Sequence, residues 1–348
     1  MLSRFFKSKP PSTVSIPDQS IQFDVANGKT MLEAALEQGL AFPHSCKVGT
    51  CGTCRYHLRS GNIRELLSSA MGLTAEQYQR GERLACQTLP KSDLEIDLEV
   101  SLASQAPSVA VEGVIIAQHQ RTPDIVVLEV ELVSPMQFRP GQFAEVSIAD
   151  ANIMRSYSFA NSPGERHIEF HVRLVPGGAF SGWLNAGSRC GEKLIVRGPL
   201  GQFGLHESAR PIICIAGGTG FAPIKSILQS MREVSLQRRV IFMYGARTRD
   251  DLYSETDVDK WRQKWQAPFD FIPVLSAQPS GPEWRGLTGM VTEHLPSEVD
   301  SNWEAYLCGP PPMVDAAERA LINQNVPFDQ IFADRFFDQS TVKVAPDR

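Results

Sequence analysis

Four cysteines with a distinctive spacing constrain this chain more than any other feature of its sequence. Cys46, Cys51 and Cys54 follow the pattern Cys-x4-Cys-x2-Cys, and Cys86 follows after 31 intervening residues. Glycine and threonine fill most of the positions between the first three cysteines, so a tight loop can bring these thiolates together. This spacing is typical of plant-type [2Fe–2S] proteins. It therefore predicts that all four cysteines are metal ligands of such a cluster.

A zinc site with four cysteine ligands is the alternative reading of this pattern. Zinc ribbons usually present two closely spaced cysteine pairs, whereas here the fourth cysteine stands alone. The other cysteines are Cys190, Cys214 and Cys308, and we interpret the first two as small packing residues. An odd number of cysteines and an N-terminus without a secretory signal argue against a disulfide framework. They predict a reducing, cytoplasmic location.

Charge and hydropathy exclude two classes of function. The formal net charge is −5 and the calculated pI about 5.9. The sequence is mildly acidic and contains no block of Lys and Arg residues, so we expect no nucleic-acid partner. The sequence also lacks the apolar stretch of roughly 20 residues that a membrane-spanning helix needs.

Three successive patterns predict a multidomain chain. Residues 12–102 combine a helix with a capping box at Thr30 and Glu33 and strands of alternating polarity, which indicates a small α+β unit. Residues 109–205 read almost entirely as short strands, which favours an antiparallel β-barrel. In residues 206–348 strands alternate with helices, which predicts an α/β domain with a parallel sheet.

Four further segments complete a recognisable set of motifs. These are RSYSFAN from Arg155, PGGAFS from Pro176, GGTGFAP from Gly217 and YLCGPPPM from Tyr306. Together with the cysteine loop they resemble the ferredoxin-fused ferredoxin–NAD reductases that serve bacterial aromatic oxygenases. The resemblance covers nearly the whole chain. It implies a plant-type ferredoxin domain of the β-grasp type, then an FAD-binding barrel, then an NAD-binding domain.

The resemblance assigns flavin contacts to the first two motifs. Tyr157 is expected against the flavin ring, Ser158 near flavin N5 and Arg155 on the pyrophosphate, and these roles suit an aromatic face and a guanidinium fork. An ordinary strand and an ordinary turn are the alternative readings of these motifs. The remaining predicted cofactor contacts on this side are Ser156, His171, Arg173, Gly177, Gly178, Ser181 and, on the other face of the flavin, Phe336.

The last two motifs are assigned to the nicotinamide nucleotide. Glycines between a strand and a helix let the backbone approach phosphate groups, and the resemblance places Cys308 and Thr219 beside the nicotinamide. Ser158, Thr219 and Cys308 are therefore the predicted catalytic residues. The other predicted contacts are Gly217, Gly218, Gly220, Arg247, Asp251, Gly309 and Pro310. An arginine favours the 2′-phosphate of NADPH, and an acidic group favours the free ribose hydroxyl of NADH. Because Arg247 and Asp251 are both present, the residues do not choose between the two nucleotides, and the resemblance favours NADH.

These motifs predict an oxidoreductase that passes electrons from NADH through FAD and its own [2Fe–2S] cluster to a separate oxygenase. The chain has no Rieske Cys-x-His pair and no Glu-x-x-His pair of a di-iron site, so it is not expected to hydroxylate anything itself. The resemblance favours a membrane-bound di-iron monooxygenase as partner, with peripheral membrane contact made through that partner. A soluble Rieske dioxygenase is the second choice, and a redox sensor without turnover is the alternative from another class.

Overall fold

The structure is a computed structural model. It describes residues 10–40, 42–44, 47–49, 52–67, 72–98, 102, 108–148, 151, 153–231, 237–253, 255–277 and 284–337. The described residues fall into two compact units, one up to Ser108 together with Phe337, the other Val109–Phe336. The predicted ligands Cys46 and Cys51 lie outside the described residues.

The first unit is a mixed five-stranded sheet that packs on one short helix. The strands lie in the order β2-β1-β7-β3-β5, and their bounds are β1 Ser12–Ile16, β2 Ile21–Val25, β3 Arg55–Ser60, β5 Glu82–Leu84 and β7 Leu94–Asp97. A small ribbon of β4 Ile63–Glu65 and β6 Thr88–Pro90 and the helices α1 Met31–Glu37 and α2 Ala75–Gln79 complete the unit. The capping box at Thr30 is present: its hydroxyl accepts from the Glu33 N–H. It satisfies two N–H groups that the helix cannot pair internally.

A six-stranded antiparallel sheet forms the first half of the second unit. The strand order is β11-β10-β13-β8-β9-β12, with β8 Val109–Thr122, β9 Ile125–Leu132, β10 Phe143–Ile148, β11 Met154–Ser158, β12 His167–Arg173 and β13 Lys193–Leu200. A bridge between Phe159 and Phe170 brings the two edges of this sheet together. The sheet therefore curls into a barrel around a core of aliphatic and aromatic side chains. The helix α3 spans Ala179–Asn185.

The second half of this unit is a parallel sheet with helices. Its order is β17-β16-β15-β14-β18-β19, with β14 Ile212–Gly217, β15 Val240–Ala246, β16 Phe269–Leu275, β17 Leu287–Thr288, β18 Glu304–Gly309 and β19 Ile331–Arg335. The helices are α4 Phe221–Ser230, α5 Glu255–Lys264 and α6 Pro311–Asn323. The central strands β14 and β18 are buried along their whole length, because apolar cores cover both faces of the sheet.

The predicted fold class is confirmed: an α+β unit, an antiparallel barrel and a parallel α/β sheet follow one another along the chain. The sheets lie within the predicted segments 12–102, 109–205 and 206–348. The exact boundaries of these domains stay predictions.

Candidate functional site

The two described cluster cysteines lie in adjoining segments of the first unit. Cys54 directly precedes β3, and Cys86 lies in the short 3₁₀ helix Ala85–Gln87. Both side chains are buried. The N–H of Ala85 donates to the Cys54 carbonyl at 2.9 Å, so the two segments that carry these predicted ligands are tied together directly. The Gln87 side-chain amide also reaches the Cys86 sulfur at 3.6 Å, a contact of the kind that tunes thiolate ligands.

Two described glycines of the predicted cluster segment have backbone conformations that favour glycine. Gly49 and Gly52 have φ angles of +85° and +75°. A Cβ on Gly52 would lie 2.7 Å from the Gly72 carbonyl oxygen, and one on Gly49 would lie 2.9 Å from a side-chain carbon of Gln87. Both positions therefore exclude a larger residue. The close packing around Gly49 and Gly52 is consistent with a segment that surrounds a compact iron–sulfur cluster, as the cysteine spacing predicts.

The predicted flavin motif forms strand β11, whose residues alternate in exposure. Ser156 is exposed, Arg155 and Tyr157 are half-buried and Ser158 is buried. The Tyr157 ring packs beside Phe180, with ring centroids 5.1 Å apart. Burial raises the pKa of the Tyr157 hydroxyl well above its usual range, so this group stays protonated. An aromatic side chain held this rigidly is suited to packing against a flat ring.

The predicted phosphate loop owes its shape to a serine. The Ser181 hydroxyl accepts from the Val175 N–H at 3.1 Å and donates to the Val175 carbonyl at 3.2 Å. Gly177 has a φ of +71°, and a Cβ on Gly178 would lie 2.4 Å from the Ser181 oxygen. In this structure Ser181 therefore stabilises its own turn. Its direct contact with a phosphate stays a prediction.

A cavity of about 520 Å³ opens at the carboxyl ends of the parallel strands. Its lining includes the glycine turn, the end of β15 and the start of α6, with Gly217, Gly218, Ala246, Arg247, Pro310 and Met313. Ligands of parallel α/β sheets bind at this edge. The glycine turn itself is a 3₁₀ helix, Gly218–Gly220, that leads directly into α4.

The glycine turn and the CGP segment lie in direct backbone contact. A Cβ on Gly220 would lie 2.2 Å from the Cys308 carbonyl oxygen, and one on Gly309 would lie 2.9 Å from the Gly217 carbonyl oxygen. The Cys308 side chain is fully buried, and burial raises its pKa well above its usual value. Its thiol therefore stays protonated. The contact of Cys308 and Thr219 with a nicotinamide stays a prediction.

Two arginines and two aspartates form a charged rim at the cavity. Asp124 accepts from Arg247 at 3.0 Å and lies 3.2 Å from Arg173. Arg247 also pairs with Asp251 at 2.9 Å. Burial opposes ionisation of Asp251, but its hydrogen bonds from Arg247 and Thr248 outweigh this effect and lower its pKa. The charge of Arg247 is thus balanced by two carboxylates, which disfavours a dedicated 2′-phosphate site at this residue.

Two acidic residues, Asp124 at the cavity and Asp334 in β19, were not predicted as site residues from the sequence. Asp124 lies far from Arg247 in sequence, and no local motif marks it. Asp334 pairs with Cys308 between β18 and β19, and burial raises its pKa to about 7 despite the neighbouring Arg335. Asp334 could have been identified from the sequence, because it lies two residues before the predicted flavin contact Phe336. The N–H of Phe336 donates to the Gly309 carbonyl at 2.9 Å, and the flavin contact of its ring stays a prediction.

His171 was predicted to contact a cofactor, but its ring faces protein groups. The side chain is 1% exposed, and its two nitrogens lie 2.7 Å from a Glu169 carboxylate oxygen and 3.0 Å from the Tyr253 hydroxyl. Neither partner was identified from sequence. A cofactor-binding role of His171 stays a prediction.

Three family models match successive parts of the chain. Residues 14–91 match the 2Fe-2S iron-sulfur cluster binding domain, residues 112–204 the oxidoreductase FAD-binding domain and residues 214–319 the oxidoreductase NAD-binding domain. The chain therefore carries domains for a [2Fe–2S] cluster, FAD and NAD, as the motifs predict. No described helix has the length and apolar character needed to cross a membrane.

Relatives match over almost the full chain. The xylene/toluene monooxygenase electron transfer component of Pseudomonas putida is 48% identical over 97% of this chain and 97% of its own length. The anthranilate 1,2-dioxygenase electron transfer component of Acinetobacter baylyi is 30% identical over 94% of this chain and 99% of its own. A cytochrome P450 reductase structure from Amycolatopsis superposes with a TM-score of 0.79 at 31% identity, covering 93% of this chain and 98% of that one. The chain belongs to the family of ferredoxin-fused NAD reductases that act as electron transfer components of oxygenases.

Proposed function

We propose that this chain supplies electrons from NADH to a separate monooxygenase that acts on xylene or toluene. The observation that carries the proposal is the 48% identity, over 97% of this chain, to the xylene/toluene monooxygenase electron transfer component. The cluster segment, flavin strand and nucleotide cavity described above are consistent with this role, because each provides a site of suitable chemistry.

The chain's own residues bind and orient the reacting groups. Bound FAD would supply hydride acceptance, and a bound [2Fe–2S] cluster would supply the relay of single electrons. Arg155 and Tyr157 would hold the flavin, and Cys54 and Cys86 would be among the ligands of the cluster. Asp124 and Asp251 balance the charges of Arg173 and Arg247 at the rim of the cavity. The backbone of the glycine turn therefore provides the main contacts for the phosphates of the dinucleotide, and Gly218 lets this backbone approach them. Cys308 contributes a neutral thiol, because burial keeps it protonated. Because the cofactors supply the redox chemistry and the protein residues bind and orient the reacting groups, no residue needs to act as a general acid or base.

A membrane-bound di-iron enzyme is the proposed type of partner, and the cytoplasm the proposed location. The partner type follows from the sequence resemblance to the xylene system. The location follows from the chemistry of the ligands, because thiolates that must stay reduced are favoured in a reducing compartment. Any membrane contact of this chain would then pass through the oxygenase.

Reconstitution tests the proposed partner directly. The holoenzyme is mixed with NADH, xylene and membranes that contain a di-iron xylene monooxygenase, and in parallel with a soluble Rieske dioxygenase and its substrate. The expected result is hydroxylated product from the membranes, formed in proportion to the NADH consumed. NADH consumption without product from the membranes would contradict the proposal.

A reductase for a Rieske-type dioxygenase is the second candidate. It is favoured by the 30% identity, over 94% of this chain, to the anthranilate 1,2-dioxygenase electron transfer component. Product from the soluble dioxygenase alone would select it. The lower identity of this relative places it behind the monooxygenase.

A further inference from the structure

A buried polar network runs from the barrel to the glycine turn beside the nucleotide cavity. Lys225 and Glu169, 12% and 15% exposed, pair at 2.6 Å. The same carboxylate oxygen of Glu169 lies 2.7 Å from His171 Nε2, and His171 Nδ1 lies 3.0 Å from the Tyr253 hydroxyl. That hydroxyl lies 3.3 Å from the carbonyl oxygen of Gly218. These contacts thus connect four parts of the unit: strand β12, helix α4, the segment after β15 and the glycine turn.

The protons in this network can be assigned from its chemistry. Burial opposes the ionisation of Glu169, but His171 and Lys225 outweigh that effect and lower its pKa to about 2. A carboxylate only accepts, so His171 Nε2 carries a proton and donates to it. Burial also lowers the pKa of His171, with Glu169 and Asp257 opposing that shift and Lys225 adding to it. The imidazole is therefore neutral, and its Nδ1 accepts a hydrogen bond from the Tyr253 hydroxyl.

This assignment leaves the Gly218 carbonyl to other donors. A tyrosine hydroxyl has one proton, so Tyr253 cannot donate to His171 and Gly218 at once. The Tyr244 hydroxyl lies 3.0 Å from the same carbonyl and donates to it, and the N–H of Phe221 also donates there. The Tyr244 and Tyr253 hydroxyls also hydrogen-bond to each other. The state of His171 thus decides whether the Tyr253 proton is available to the Gly218 carbonyl and the Tyr244 hydroxyl.

The orientation of the Gly218 carbonyl also fixes the direction of the Thr219 N–H, because both groups belong to the same peptide unit. In a planar trans peptide the carbonyl of Gly218 and the N–H of Thr219 point in opposite directions. Gly218 lines the cavity and has a φ of +56°, a conformation that glycine adopts without strain. Hydrogen bonds that hold the carbonyl therefore also aim the Thr219 N–H.

We infer that His171 is a positioning residue for the nicotinamide nucleotide: through Tyr253 it sets the hydrogen bonds at the Gly218 carbonyl and so the orientation of the Gly218–Thr219 peptide. The inference assumes that the nucleotide occupies the cavity beside this turn. It does not depend on which oxygenase receives the electrons.

A double-mutant cycle tests the inference on the FAD- and cluster-loaded full chain, without any oxygenase. His171→Leu removes the acceptor for Tyr253 while Lys225 still pairs with Glu169, and Tyr253→Phe removes the hydroxyl. Anaerobic flavin bleaching at increasing NADH concentration gives the nucleotide Kd and the limiting rate separately. His171→Leu is expected to change Kd by about 2- to 10-fold, the range that one hydrogen bond provides. The change in Kd is expected to exceed the change in the limiting rate, because the network acts on the binding of the nucleotide.

The decisive comparison is His171→Leu in the Tyr253→Phe background. If His171 acts through Tyr253, the substitution has no further effect on Kd there. An equal effect in both backgrounds, or an unchanged Kd for His171→Leu, would overturn the inference. Tyr56→Phe is the matched control, because it removes another buried hydroxyl bond, 2.9 Å from Thr88, in the iron–sulfur unit. It should lower the melting temperature without changing Kd.

Discussion

Gly220 provides the most direct structural test of the nucleotide site. A Cβ at this position would lie 2.2 Å from the Cys308 carbonyl oxygen and 2.8 Å from the Gly309 nitrogen, whereas ordinary contacts of a Cβ begin at 3.4 Å. Both neighbours are backbone atoms of a buried strand, so no flexible side chain can move aside. Gly220→Ala must therefore push the glycine turn and the CGP segment apart by about 1 Å, a displacement that costs about 10²-fold in rate when it misplaces reacting groups.

Two measurements separate the expected effects of Gly220→Ala. Anaerobic stopped-flow should show flavin reduction by NADH slowed by about two orders of magnitude. Thermal unfolding should show a loss of about 1–3 kcal/mol from overpacking. Gly182→Ala in α3 is the control, because a Cβ there meets nothing within 4 Å. Wild-type reduction kinetics in Gly220→Ala would refute the claim that this contact shapes the nucleotide site.

Three further predictions concern charged and ligating groups. Asp334 binds its proton more tightly folded than unfolded, since its pKa is raised to about 7 from 3.8; the free energy of unfolding should therefore fall as pH rises from about 4 to 7, and Asp334→Asn should flatten this slope in denaturant titrations. Asp124→Asn removes a negative charge that balances Arg173 and Arg247, so kcat/KM for NADPH relative to NADH should rise by roughly 2- to 5-fold at low salt; an unchanged ratio would contradict this. Cys86→Ser should abolish electron transfer through the cluster but spare NADH reduction of a two-electron dye, and retained cluster-dependent transfer would refute the ligand assignment.

Local sequence patterns were sufficient wherever neighbouring residues determine the structure. The capping box at Thr30 and the strand that ends in the glycine turn at Gly217 were predicted from a few residues each. The glycine turn is itself helical and runs straight into α4, which begins at Phe221.

Predictions were incomplete where distant residues meet or where burial depends on the complete fold. Asp124 reaches Arg247 across 123 positions, and His171 reaches Tyr253 across 82, and no local pattern carries such pairings. The interpretation of Cys190 as a packing residue was wrong: it is exposed. It precedes the turn at Gly191, which has a φ of +91°. Cys214, in the central strand β14, is fully buried as predicted.

An anaerobic titration of the purified holoenzyme with NADH shows whether electrons pass from NADH through the flavin to the cluster of the same chain. Flavin absorbance and the EPR signal of a reduced [2Fe–2S] centre are followed together, with NADPH in a parallel titration. We expect NADH to bleach the flavin and the cluster signal then to appear in the same molecules, with NADPH less effective. Flavin bleaching with a cluster that stays oxidised would contradict the internal electron transfer on which the proposed function rests.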